Sequence, residues 1–395
     1  MPQGLWFHRS TRGCPNTLHN LFVVVGRPVV VNIVIAAWHL KNFNVGIGRY
    51  ARELIEALGR VDHKHHYEIL LPQAEHPFQP RPNMRYRVVR IPLFRRRVWE
   101  QVAPLLLGPH DLLHLPYDSC VAWKRGKLVT TIHDVKPVLF PQLRTRGNLN
   151  SAIEQWLVGD RWSKIDHVLT ISEHSRRDLL AHVPLRADQV TVTPLGLDGN
   201  RFRPAAQRAA GKPYVFCVAG SDPTKNVGSL VEAYAKLPDF LRNRFDLLLA
   251  GDVCRREDIR AAIERLGLGA QTRLVGVLSD EELVSTYQGA TVFVFPSLYE
   301  GFGLPVLEAM GCGCPVICSN TSSLPDVAGD AALLVDPRNS GRLAVELTRV
   351  LESPSLQEEL RGRGLMRARE FSWDRTAAET VAVYERVVAG AATLP

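Results

Sequence analysis

Two successive series of short apolar runs alternating with helical stretches constrain this chain more than any other feature. In the first series, Val29–Ala36, Tyr67–Leu71, Tyr86–Ile91, Asp111–Leu115, Leu128–Ile132, His167–Ile171 and Val190–Thr193 read as strands. Between them Gly48–Leu58, Val98–Leu107, Ser151–Ile165 and Glu173–His182 have the apolar spacing of helices. After Pro213 the alternation restarts. Strands are expected at Tyr214–Ala219, Asp246–Ala250, Thr272–Val275, Val292–Phe295, Val316–Ser319 and Ala332–Val335, with helices at Val227–Lys236, Arg256–Leu266, Asp280–Gln288 and Arg342–Glu352. Ser279-Asp-Glu-Glu282 has the form of a capping box. Two such series predict an α/β chain with two Rossmann-like parallel sheets covered by helices. The expected organisation is an extension over 1–27, disordered; one domain over 28–195; a linker over 196–212, with Gly196, Gly199 and Pro204; a second domain over 213–371; and a last amphipathic helix within 372–395.

Composition and charge narrow the class. The chain has 395 residues, 46% hydrophobic and 22% charged, which suits two globular domains and excludes wholesale disorder. No apolar run approaches the ~18–20 residues needed to span a bilayer. Met1–Leu18 lacks the apolar centre of a signal peptide, so a cytoplasmic location is expected. Seven cysteines show no disulfide or zinc spacing and read as small buried thiols. Residues 1–195 carry 26 Lys and Arg against 15 Asp and Glu, and the remainder 22 against 25. Arg95, Arg96 and Arg97 form the densest basic cluster. With no nucleic-acid-binding motif beside it, this basic surface points away from nucleic acid. It fits peripheral contact with an anionic membrane at the inner face, or a solvated face without function.

Chemistry concentrates in Pro296-Ser-Leu-Tyr-Glu300-Gly301-Phe302-Gly303-Leu304-Pro305-Val-Leu-Glu308. It follows a buried-strand pattern and enters a helix with Pro305 at the first position and Glu308 in the first turn. Backbone N–H groups at such a junction favour phosphate, and carboxylates accept hydroxyls of sugar and ribose. A second loop, Ala219-Gly220-Ser221-Asp222-Pro223-Thr224-Lys225, places a lysine within reach of a diphosphate. Gly46-Ile47-Gly48-Arg49-Tyr50-Ala51 satisfies G-x-G-x-x-A, which leaves an NAD-dependent oxidoreductase open. Against that reading, Trp38–Val45 separates the first glycine from the strand. Thr131-Ile132-His133-Asp134 ends a strand of the first series. No D-x-D pair occurs in the chain, so no metal site on a diphosphate is expected.

The Glu300-x7-Glu308 segment resembles the E-x7-E motif of family 4 glycosyltransferases, retaining enzymes of the GT-B fold. The phrase from Thr131 to Pro141 is similar to that family's motif in the first domain. The resemblance covers nearly everything beyond residue 27. It implies two Rossmann-like parallel-sheet domains facing across a cleft, with the last helix crossing back onto the first domain, and transfer of a hexose from a nucleotide sugar without metal or other cofactor. It further implies catalytic roles for Glu300 and His133. Donor contacts would come from Gly46, Gly48, Ser221, Lys225, Gly301, Phe302, Gly303, Leu304 and, at the ribose, Glu308. Arg49 and Asp134 would lie on the acceptor side. The family often carries an arginine where this chain has Ser221 or Thr224, so the cationic clamp here departs from the pattern. Mannosyltransferases of bacterial polysaccharide assembly are the nearest likeness, which makes GDP-mannose the first donor and a glycan or polyprenyl-linked glycan the acceptor. A nucleotide-sugar epimerase of the same fold is the alternative.

Overall fold

The computed structural model describes residues 30–42, 46–91, 96–140, 161–206 and 211–392. The extension over 1–27, Cys14, Arg95 and most of the expected Ser151–Ile165 helix lie outside them. The first sheet has seven parallel strands in the order β3-β2-β1-β4-β5-β6-β7. These are β1 (Asn32–Ala36), β2 (His66–Leu71), β3 (Met84–Val88), β4 (Leu112–Leu115), β5 (Lys127–Ile132), β6 (His167–Thr170) and β7 (Val190–Val192). The second sheet has six, in the order β10-β9-β8-β11-β12-β13. They are β8 (Tyr214–Val218), β9 (Asp246–Ala250), β10 (Thr272–Gly276), β11 (Val292–Phe295), β12 (Val316–Ser319) and β13 (Leu333–Val335).

Both sheets are covered on two faces, and the side-chain period of two sorts their residues accordingly. Ile33, Ile35, Ile69 and Val129 enter one core; Val34, Leu70, Leu113 and Leu128 enter another. In the second sheet Phe216, Phe293 and Phe295 face the core shared with the first sheet. Val215, Cys217, Val292 and Val294 face a separate one. The six cysteines among the described residues are all free and buried.

Two stretches of chain run side by side between the sheets. Leu197 N–H donates to the Phe371 carbonyl, and a Cβ on Gly196 would collide with the Trp373 backbone. The Trp373–Ala392 helix then packs along Gly46–Val61 on the first sheet. The Tyr384 hydroxyl shares a hydrogen bond with His114 Nδ1 at 2.6 Å, and Thr376 Oγ1 donates to the Pro194 carbonyl at 2.6 Å. The Ser279–Glu282 capping box forms in full.

Three differences from the sequence reading have local causes. The helix after Gly303 begins at Leu304, so Pro305 is its second residue and Glu308 opens its second turn. Gly303, at φ +121°, serves as the N-cap one residue earlier than proline alone implies. β3 is shifted toward Met84 because it is a sheet edge with mostly exposed side chains, which blurs the apolar alternation. The Asp239–Arg244, Leu324–Ala328 and Pro354–Ala368 helices escape the pattern. The first two are short, and the third buries little beyond Leu360, Gly364 and Ala368.

Candidate active site

In an open parallel sheet, ligands bind beyond the C-terminal strand ends where the strand order reverses. In the second sheet that point lies between β8 and β11. The Ala219–Asn226 and Pro296–Gly303 loops leave those two strands. The loops are tied together: Leu298 N–H donates to the Thr224 carbonyl at 2.7 Å, and Asn226 Nδ2 donates to the carbonyls of Pro296 and Pro337. Asn226 adopts the left-handed conformation at φ 53°, which asparagine tolerates better than most residues. Asp222 accepts from Thr224 N–H and so shapes the short turn that presents Lys225.

Lys225 Nζ meets Glu300 Oε1 at 2.6 Å. Glu300 N–H donates to Ser322 Oγ at 3.1 Å, while Ser323 Oγ donates to the carbonyls of Glu300 and Phe302. Two serines thus hold the backbone on either side of the carboxylate. Glu308 is seated differently: Arg49 Nη1 lies 2.5 Å from its Oε1, and the Tyr287 hydroxyl donates to its Oε2 at 3.1 Å. Glu308 is buried and Arg49 partly so. Burial works against the Arg49 charge, but Glu308, helped by Glu53 and Asp280, outweighs it and raises the guanidinium above its usual range. The two carboxylates therefore have separate cationic partners rather than one shared face.

The first sheet brings its own groups to the same place. His133 follows β5, with its ring edge-on to Tyr50 at 4.7 Å. Tyr50 and His114 both bond Thr131 Oγ1, and Tyr384 bonds His114, so a buried polar chain supports the His133 face from behind. Burial, with His39 adding, lowers the His133 pKa to about 4. The ring is neutral near pH 7, and its Nε2 is buried with no partner among the described residues. Arg49 Nε is in the same condition. Buried polar nitrogens are normally hydrogen-bonded, so these two stand out among the groups of the cleft.

The halves touch directly. Ser175 Oγ donates to the His133 carbonyl at 2.9 Å and to the Gly301 carbonyl at 3.1 Å. A Cβ on Gly301 would lie 2.6 Å from the His133 carbonyl oxygen, so only glycine permits this approach. Tyr299 donates to Asp178 at 2.7 Å, and Lys136 forms an ion pair with Asp222. Asp134 is pushed above the ordinary carboxylate range by burial; nearby Glu300 adds to this and Lys136 offsets it.

Several of the expected residues take more particular places. Gly46 is exposed, Gly48 buried, and both lie in the first turn of the Gly46–Val61 helix. Ser221 is exposed and Leu304 opens its helix. The Phe302 ring packs on Phe371 beside a cavity of about 390 Å³ lined also by Leu195, Val327 and Thr376. Arg49, expected toward the acceptor, turns onto Glu308. Arg96 is engaged by Glu100 and His39 rather than standing free. Lys136, Ser175, Tyr287 and the Ser322–Ser323 pair are additions that sequence reasoning missed. Only Lys136 had a signal, as the one cation inside the His133-Asp134 phrase. Among the described residues no cluster of three or more His, Cys, Asp or Glu is placed to hold a metal ion, and no helix is long and apolar enough to cross a membrane.

Two sheets of this order facing across a closed cleft, with a lysine and two carboxylates at the reversal point, define a GT-B glycosyltransferase. The family model for glycosyltransferase family 4 matches residues 45–201, and that for glycosyl transferases group 1 matches 199–365. The chain belongs to the family 4 glycosyltransferases. It is 29% identical over 390 residues to O-antigen chain mannosyltransferase B of Escherichia coli, covering 90% of this chain and 100% of that one. It is 36% identical over 231 residues to the MMP alpha-(1->4)-mannosyltransferase of Mycolicibacterium hassiacum, which covers 57% of this chain and 55% of the relative. Among solved structures, sucrose-phosphate synthase from Thermosynechococcus elongatus superposes with a TM-score of 0.72 at 23% identity, covering 91% of this chain and 100% of that one. WaaG, a glycosyltransferase of lipopolysaccharide biosynthesis, gives 0.67 at 16%, covering 89% and 99%. These structures carry the fold.

Proposed function

We propose that the cleft transfers mannose from GDP-mannose to a hydroxyl of a glycan or polyprenyl-linked glycan, with retention of anomeric configuration and without a metal ion. The observation that carries this reading is the Lys225–Glu300 pair at the reversal point of the second sheet. When the donor enters, Lys225 exchanges Glu300 for the diphosphate, and Glu300 turns to the hydroxyls of the sugar. Charge develops on the departing diphosphate as the sugar becomes oxocarbenium-like. Lys225 and the Gly301–Gly303 amides stabilise that charge. The leaving phosphate oxygen takes the acceptor's proton. Glu308 accepts the ribose hydroxyls, and neutral His133 donates or accepts one hydrogen bond at the transferred sugar. Closure excludes the water that would otherwise compete with the acceptor.

Mannose is favoured by the names of the two relatives above, both mannosyltransferases. A lipid-linked acceptor would put the enzyme at the inner membrane face, with the basic first half toward anionic lipid. The deciding experiment incubates the protein with GDP-mannose, UDP-glucose and dTDP-rhamnose, in EDTA and then with Mg²⁺ or Mn²⁺. Release of GDP in EDTA, slow with water and faster with acceptor, is expected. Release from another donor only, strict metal dependence, or interconversion of sugars without release would each overturn the corresponding part.

A further inference from the structure

We infer that Arg49 is a positioning residue for nucleotide recognition: reaching over from the first sheet, it fixes the Glu308 carboxylate so that only the closed enzyme reads the ribose correctly. The inference rests on the assignment of Glu308 to the ribose given above. Glu308 sits on the Leu304–Gly311 helix beside the second sheet, whereas Arg49 belongs to the Gly46–Val61 helix on the first. The pair is 259 residues apart in sequence and 2.5 Å apart in space. Its side chains are 15% and 4% exposed, so solvent screens it little.

The geometry explains what the pair does. An ionised carboxylate has roughly four acceptor positions. Arg49 takes one on Oε1 and Tyr287 one on Oε2, which leaves about one on each oxygen for the two hydroxyls of a ribose. With both anchors in place the carboxylate plane is fixed from two sides. Arg49 is itself held by the Phe202 ring, 5.1 Å away, on the segment that joins the sheets. Asp280, which also acts on Arg49, is occupied by Arg201 at 2.5 Å. Opening of the cleft withdraws Arg49 from the Leu304–Gly311 helix and leaves Glu308 to Tyr287 alone. Ribose recognition and closure are thereby one event.

The test compares GDP with 2′-deoxy-GDP by calorimetry in wild type, Arg49→Met, Tyr287→Phe and Glu308→Gln. Wild type should prefer the ribose form by about tenfold or more, the scale of one hydrogen bond to a charged group. Arg49→Met should narrow that preference to about twofold, and Tyr287→Phe, a milder change, should narrow it part way. Combining Arg49→Met with Glu308→Gln should add nothing to the narrowing by Glu308→Gln alone. A merely structural role for Arg49 would weaken GDP and 2′-deoxy-GDP equally, keep the ratio and overturn the inference. If Arg49→Met does not fold, an undiminished ratio in Tyr287→Phe overturns it. Absence of any preference in wild type would instead refute the ribose assignment of Glu308.

Discussion

The site residues contributed beside the second sheet and those contributed beside the first are held in place by different means. Lys225 and Glu300 are fixed from within the second sheet's half: a short turn capped by Asp222, the Asn226 staple and the Ser322–Ser323 hydroxyls after β12. His133 and Arg49 are fixed by side chains remote in sequence, from Tyr50 and Ser175 to Tyr384 in the last helix. The Lys225–Glu300 pair is therefore shaped within its own half, whereas the first sheet's groups are completed only when the whole chain has folded around them. Donor affinity should follow the second sheet's loops together with the Arg49 anchor on Glu308, and turnover should depend on every group of both sheets.

The largest break in this comparison is expected at Glu300. Glu300→Gln removes the charge that answers Lys225 and that, in the proposed reaction, orients the sugar, and turnover should fall by about 10²–10³-fold, as for loss of one preorganised transition-state contact. Affinity for GDP should change little. A comparable loss in both quantities would make Glu300 a general binding residue. Next comes Glu308→Ala. It should weaken GDP about ten- to a hundredfold while turnover at saturating donor holds. Unchanged GDP affinity would take the ribose away from Glu308.

The same division decides what could be read from sequence. Both sheets and the loops after β8 and β11 were legible because their determinants are local: apolar runs, glycine at the helix entry, acids eight residues apart. The roles of the first sheet's residues were not. That Arg49 faces Glu308, or that Ser175 spans the His133 and Gly301 carbonyls, follows from packing between segments 259 and 126 residues apart, and no spacing encodes it. Phe302 illustrates the converse. Its position within the motif was plain, but the ring packs on Phe371 because the linker and last helix pass beside it.

Acid should separate the two halves. All 13 histidines precede Val183, so none belongs to the part of the chain that forms the second sheet. His39, His133 and His167 are each lowered to about 4 and His114 to about 3, all by burial first. The unfolded chain takes up these protons near 6.5, the folded chain only near 3–4. Stability is therefore full above about pH 6.5 and declines as pH falls toward 4. Hydrogen exchange at about pH 5 should accelerate in β1 and β4–β6 before β8, β11 and β12. Simultaneous loosening of both sheets would show that the halves unfold as one unit.

The smallest effect, and the sharpest for the comparison, is expected from Tyr384→Phe. The hydroxyl shares a hydrogen bond with His114 Nδ1 at 2.6 Å, His114 Nε2 shares one with Thr131 Oγ1 at 2.8 Å, and Thr131 shares one with Tyr50 at 3.1 Å. Removing the hydroxyl leaves His114 Nδ1 buried without a partner, which costs about 1–3 kcal/mol of stability. The cost is felt first in how Tyr50 sits against His133, so turnover should fall about two- to threefold with GDP affinity unchanged. The control is Asp374→Ala, which removes the exposed Arg60 pair at the start of the same helix. Exposed pairs contribute about 0–1 kcal/mol, and this variant should leave both stability and turnover nearly unchanged. Equal effects from the two variants would reduce the last helix to a packing element. A fall in turnover with Tyr384→Phe alone would mean that the first sheet's half of the site is tuned from the far end of the chain.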